Sequence, residues 1–155
     1  MRALGIDYGR RRIGLALSDA TGMLARPWKT LAAGAGPGRV AAALAAEIAA
    51  LAADADGLSA VAMGYPRRLT GDANEQTVAV EKVVSELRLL VDVPIVLQDE
   101  RLSSHEAESR LARTEKDWRK RKPLLDAAAA AVILQDYLDG QPRPAARGDF
   151  DDEGL

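Results

Sequence analysis

The chain has no cysteine and a single histidine, His105. The first absence excludes disulfides, thiolate nucleophiles and thiolate-held zinc or iron–sulfur centres, and the second rules out a histidine-rich metal site within one chain. Long hydrophobic runs are also missing. The longest small-apolar stretch, residues 40–55, is Ala-dominated and broken by Glu47 and Asp54, so neither a signal peptide nor a membrane span is expected and the protein is read as soluble and cytoplasmic. No charge sign dominates the net value of -2. The chemistry that remains must run on carboxylates, hydroxyls and basic groups.

At 155 residues and 48% hydrophobic composition, the chain has room for one domain with one real core. Leu4 and Ile6 alternate with Gly5 and Asp7. After Gly9-Arg10-Arg11-Arg12, Ile13, Leu15 and Leu17 alternate with Gly14, Ala16 and Ser18, the period of paired strands. Ser18-Asp19-Ala20-Thr21-Gly22 is a turn by composition, and residues 23–31 form a third strand that Pro27 suits to an edge. An Ala-rich helix over 39–53 carries Val40, Leu44, Ile48 and Leu51 on one stripe. A strand over 58–63 follows. Asp72 and Glu75 cap a helix bearing Val80, Val83, Val84, Leu87 and Leu90; residues 94–97 form a buried strand; Ser103 and Glu106 cap a helix reaching about Arg113. Residues 114–122 are polar and basic ahead of Pro123, which permits a last helix to about Asp139. The expected fold is α/β, a mixed five-stranded sheet with helices on both faces, in a domain over 1–139 with a disordered tail over 140–155.

Three carboxylates stand out. Asp7 closes the apolar run of the first strand, with Gly5 and Gly9 beside it allowing close approach; its alternative is a turn aspartate bonding its own backbone. Asp99 and Glu100 close the run Ile95-Val96-Leu97-Gln98. Neighbours on an extended chain point to opposite faces, so spacing alone does not say which would join Asp7. Asp126 shares a helical stripe with Ala130, Ile133 and Tyr137, and its alternative is first-turn placement near Pro123, worth roughly 0.3–1 kcal/mol through the helix dipole. Ligands gather where parallel strands end, so the topology predicts that the acids converge. Converging carboxylates raise one another's pKa unless cations sit between them. Two Mg²⁺ or Mn²⁺ ions would relieve the repulsion and support an in-line phosphoryl displacement.

Ile6-Asp7-Tyr8-Gly9, Arg12-Ile13-Gly14-Leu15-Ala16 with Ser18-Asp19, Gly64-Tyr65-Pro66, Asp99-Glu100-Arg101-Leu102-Ser103-Ser104, and Asp126-Ala127-Ala128 with Ile133-Leu134 resemble the YqgF family, also called RuvX. That family is similar to the Holliday-junction resolvases of the ribonuclease H-like superfamily. The resemblance covers about residues 1–140. It implies a ribonuclease H-like sheet, a divalent-metal nuclease site with Asp7, Glu100 and Asp126 as its catalytic, metal-binding acids, and a role in processing the 5′ end of pre-16S rRNA, with four-way DNA junctions as a second substrate. Tyr65 departs from the family, which often has an aliphatic residue there.

Basic residues cluster as Arg10-Arg11-Arg12, Arg67-Arg68 and Arg119-Lys120-Arg121-Lys122, and are read as nucleic-acid-binding, with Trp118 stacking a base. The ordinary alternatives are solvated surface and a tryptophan folded over the core. His105 is read as a surface residue after a helix cap, Asp19 as part of its turn, and the acidic tail as a competitor for the basic loops. The partners expected are pre-rRNA and branched DNA, with no membrane, for a monomer or weak homodimer. Two other readings compete: a non-catalytic RNA-binding module, and a sugar-kinase or actin-like ATPase, for which a chain of this length has one domain where two are needed.

Overall fold

A computed structural model describes residues 1–66, 75–99 and 118–142, with the backbone alone for 118–124. Strands β1 (Arg2–Tyr8), β2 (Arg12–Ser18), β3 (Ala25–Ala32), β4 (Leu58–Tyr65) and β5 (Ile95–Asp99) form one sheet in the order β3-β2-β1-β4-β5. β1, β2 and β3 pair antiparallel as a meander, and β4 and β5 add parallel to β1. The mixed sheet expected from the alternating pattern is therefore present. The C-terminal ends of β1, β4 and β5 share one edge.

The two faces of the sheet differ in side-chain size, and that difference sets what packs on each. Leu4, Ile6, Ile13, Leu15, Val61, Met63 and Ile95 point to one face. There they meet α1 (Pro37–Ala53) through Val40, Leu44, Ile48 and Leu51, and α2 (Glu75–Leu90) through Val80, Val83, Val84 and Leu87. Each such side chain contributes about 1.5–3 kcal/mol on burial, an upper bound given a compact unfolded chain. The opposite face is built from Ala3, Ala16 and Ala62, which pack against Ala130 and Leu134 of α3 (Trp118–Asp139). With so little side chain between them, helix and sheet backbones nearly touch. A Cβ on Gly5 would lie 2.6 Å from Leu134 Cβ, and one on Gly14 would lie 1.9 Å from the Asp126 carbonyl oxygen.

Polar contacts fix the C-terminal half of α3 and the start of α2. The Gln135 side chain accepts a hydrogen bond from the Ala25 N–H (2.9 Å) and donates to the Met23 carbonyl (3.0 Å), tying α3 to the beginning of β3. Gln76 donates to the Tyr8 carbonyl and Thr77 to the Pro66 carbonyl, so α2 starts directly under the ends of β1 and β4. The turn read at residues 18–22 is held by Asp19, whose carboxylate accepts from Met23 N–H (2.9 Å), Leu24 N–H (3.2 Å) and the Thr21 hydroxyl (2.8 Å).

Three expectations need correction. The strand read as buried over 94–97 is β5, an edge strand in which Ile95 is buried but Val96 and Leu97 are exposed. The last helix does not begin after Pro123. It begins at Trp118 and takes Pro123 into its body, where the ring removes one N–H and crowds the carbonyl four residues back, a cost set against flanking Arg and Lys residues that are strong helix formers. The third strand runs over Ala25–Ala32 rather than 23–31, because Met23 and Leu24 are held in the Asp19 turn. The helix read from Ser103 to Arg113 lies outside the described residues, as do His105 and the tail beyond residue 142.

Candidate active site

Asp7 is a strand residue. It pairs in register with Gly14 across β1 and β2, while the turn beyond is closed by the Gly9 N–H donating to the Arg12 carbonyl at 3.0 Å. Ile6 faces α1 and α2, so Asp7, the next residue on the pleat, faces α3. Partners in an antiparallel pair share a face. Gly14, opposite Asp7, is the residue whose missing side chain admits the Asp126 carbonyl. Two acids far apart in sequence are thus neighbours over the same strand pair.

Dipole placement does not account for Asp126. From its start at Trp118, α3 runs eight residues before reaching Asp126, about 12 Å along the axis, whereas the dipole effect falls off within the first turn. The stripe read from the sequence is real: Ala130 and Ile133 are fully buried and Tyr137 is half-buried. Asp126 heads that stripe with a partly exposed carboxylate, and Arg12 at the start of β2 is its ion-pair partner, Nε to Oδ2 at 3.0 Å. In this structure a guanidinium supplies positive charge beside that carboxylate.

Strand register separates the two acids that spacing left open. Met63 pairs with Leu97 and Tyr65 with Asp99, and Met63 and Tyr65 pack in the core beneath α1 and α2. Asp99 therefore lies on the face opposite Asp7 and Asp126. Glu100, the next residue, lies outside the described residues. Among the described residues no group of three or more acids or histidines gathers. Asp7 and Asp126 thus sit over the same strand pair, and the strand leading to Glu100 ends at the same edge.

The basic clusters reach this edge by different routes. Arg10, Arg11 and Arg12 form the exposed β1–β2 hairpin. α3 crosses the sheet from Gly14 toward the start of β3, so its first turns, carrying Trp118, Arg119, Lys120, Arg121 and Lys122, extend past the edge where Asp7 lies. Arg67 and Arg68 fall outside the described residues. Gly14 is the functional position that residue-type reasoning missed, because a glycine in an alternating strand reads as small filler until the helix above it is known. Gln76 and Thr77 were not singled out either, because the Tyr8 and Pro66 carbonyls they bond belong to other elements. A cavity of about 280 Å³ bordered by Met1, Gly22, Ser59 and Tyr137 lies at the other edge, away from the acids. No helix among the described residues is long and apolar enough to cross a membrane.

A mixed five-stranded sheet with an acid inside its first strand and a second delivered by the helix across it defines the class: a ribonuclease H-like fold of the resolvase type. The chain is similar in fold to T. thermophilus RuvC in complex with Holliday junction substrate, with a TM-score of 0.52, 18% identity, and coverage of 94% of this chain and 99% of that one. The family model described as RuvX, Holliday junction resolvase, matches residues 1–140, and the chain belongs to the RuvX family. Among curated relatives, each named "Putative pre-16S rRNA nuclease", the protein of Roseiflexus sp. (strain RS-1) is 39% identical over 140 residues, covering 90% of this chain and 95% of the relative. That of Geobacillus kaustophilus (strain HTA426) is 35% identical over 143 residues, covering 91% and 99%. Its relatives are named nucleases, and the enzyme class is that of hydrolases.

Proposed function

We propose that this protein is a divalent-metal-dependent nuclease that hydrolyses phosphodiester bonds in structured RNA and acts in the cytoplasm on the 5′ end of pre-16S rRNA. The observation that carries the reading is that Asp7 pairs with Gly14 and the Asp126 carbonyl rests on that same Gly14, so both acids belong to the β1–β2 pair under α3. The names of the relatives support the substrate.

The residues present fit hard cations. The donors are carboxylates, the chain offers no thiol, and Asp126 already pairs with a positive group. Asp7, Asp126 and Glu100 would hold Mg²⁺ or Mn²⁺, most naturally two ions, which when bound supply an activated water and charge neutralisation at the leaving oxygen. The protein's own part is to hold these oxygens on a rigid strand pair and helix, so that little rearrangement is needed at the moment of reaction. Arg10, Arg11, Arg12, Arg67, Arg68, Arg119, Lys120, Arg121 and Lys122 grip backbone phosphates, and Trp118 stacks an unpaired base. Residues 1–139 form the catalytic domain, 140–155 are an acidic tail outside it, and the protein works as a monomer or weak homodimer.

The test is cleavage of matched pre-16S leader RNA and four-way DNA junctions with Mg²⁺, Mn²⁺ or chelator, using wild type, Asp7→Asn and Asp126→Asn. The reading expects metal-dependent RNA cleavage that either substitution lowers about a hundredfold or more with binding retained. Cleavage indifferent to chelator and to both substitutions would refute it. The family description as a Holliday junction resolvase supports a second reading, which preferential, symmetric cleavage of the DNA junction would establish in place of the first.

A further inference from the structure

Resting on the metal-site reading above, we infer that Arg12 is the resident counter-cation of Asp126, and that a divalent ion takes this carboxylate by displacing Arg12, which is thereby released to the nucleic-acid phosphates. The contact runs from Arg12 Nε to Asp126 Oδ2 at 3.0 Å, between side chains 43% and 29% exposed. Arg12, Gly14 and Ala16 alternate along β2, so Arg12 shares the α3 face. It stands one pleat beyond Gly14, the residue on which the Asp126 backbone rests. The pair is thus fixed by the same close approach that brings Asp126 to Asp7.

Its strength suits a placeholder. A pair this open to water is weak, amounting to a fewfold effect on an equilibrium. That is enough to orient the carboxylate, yet a dication with several oxygen ligands can displace it. Arg12 also belongs to the exposed hairpin Arg10-Arg11-Arg12 at the edge where a polyanion would lie. Release of Arg12 by metal and capture of Arg12 by phosphate favour each other, and by linkage nucleic acid must tighten metal binding by the factor that metal tightens nucleic acid. Arg12 is therefore a positioning residue that exchanges partners, rather than a permanent phosphate clamp.

Calorimetric titration of chelator-treated protein with Mn²⁺ tests this. Arg12→Gln and Arg12→Met should each tighten Mn²⁺ binding about two- to fivefold, Arg11→Gln should change it less, and Arg12→Gln should change nothing in an Asp126→Asn background. In the same proteins the Arg12 Nε–Hε resonance, assigned by its loss in Arg12→Gln, should move with Mg²⁺ occupancy. Unchanged or weaker Mn²⁺ binding in both Arg12 variants, or an Arg12 resonance that stays fixed while Mg²⁺ binds, overturns the inference and leaves the metal site standing. Wild type that fails to bind Mn²⁺ at all overturns the proposed function itself.

Discussion

Replacing Gly14 with alanine is the most demanding perturbation this structure offers, because it adds one methyl group where two backbones touch. The new Cβ would lie 1.9 Å from the Asp126 carbonyl oxygen, 2.2 Å from its carbon and 2.8 Å from the Ala127 nitrogen. All three are backbone atoms of α3, so no side chain can rotate away. Restoring ordinary contact, 3.4 Å or more, requires the helix to retreat by about 1.5 Å at the turn that carries Asp126. Overpacking of this kind costs about 1–3 kcal/mol or more, which for a domain of this size lowers the melting temperature by about 3–10 °C. The displacement also parts Asp126 from Asp7, and an ångström of misplacement can cost about a hundredfold in rate. Thermal unfolding by calorimetry, with Mn²⁺ titration and cleavage on the same sample, measures both effects. Gly38→Ala is the matched control: it lies in α1 with nothing within 4 Å of its Cβ, and should leave stability unchanged or raise it by up to about 1 kcal/mol. Gly14→Ala protein with wild-type melting and wild-type metal affinity would show that α3 does not press on β2 as described.

Loss of the Gln135 side chain should destabilise the fold by about 1–2 kcal/mol, because the Ala25 N–H and Met23 carbonyl lose their partners; faster amide exchange at Ala25 is the local readout. Hydrogen bonds from the Met23 N–H, the Thr21 hydroxyl and the Leu24 N–H hold the Asp19 carboxyl below its ordinary value. A group with a lowered folded pKa adds stability above its unfolded pKa, about 3.8, and loses it as pH falls through the folded value. The urea midpoint of Asp19→Ala should therefore lie below wild type near neutral pH and approach it as pH drops below about 4.

The sheet was legible in the sequence because its two faces alternate large and small residues: Leu4, Ile6, Ile13 and Leu15 against Ala3, Gly5, Gly14 and Ala16. Helix stripes such as Val40, Leu44, Ile48 and Leu51 were equally plain. Less legible was how near α3 lies to β2, since that depends on a glycine in one element meeting a carbonyl in another. The start of α3 was misplaced because Pro123 reads locally as a first-turn residue, although the basic run before it continues the helix. Asp7 and Asp126 were found as acids in apolar stripes. Choosing between Asp99 and Glu100 required strand register, which reveals Asp99 on the wrong face. The pairing of Arg12 with Asp126 could not be read from sequence, as nothing local links residue 12 to residue 126.

The account depends most on carboxylates of Asp7 and Asp126 sharing a bound divalent cation. Crystals of the protein grown with Mn²⁺ and measured at a wavelength where manganese scatters anomalously test this directly. The expected map has an anomalous peak between α3 and the end of β1, within coordination distance of oxygens from both residues and also from Glu100. Anomalous density absent from that position at saturating Mn²⁺, or coordinated by only one of the two aspartates, would contradict the proposed site.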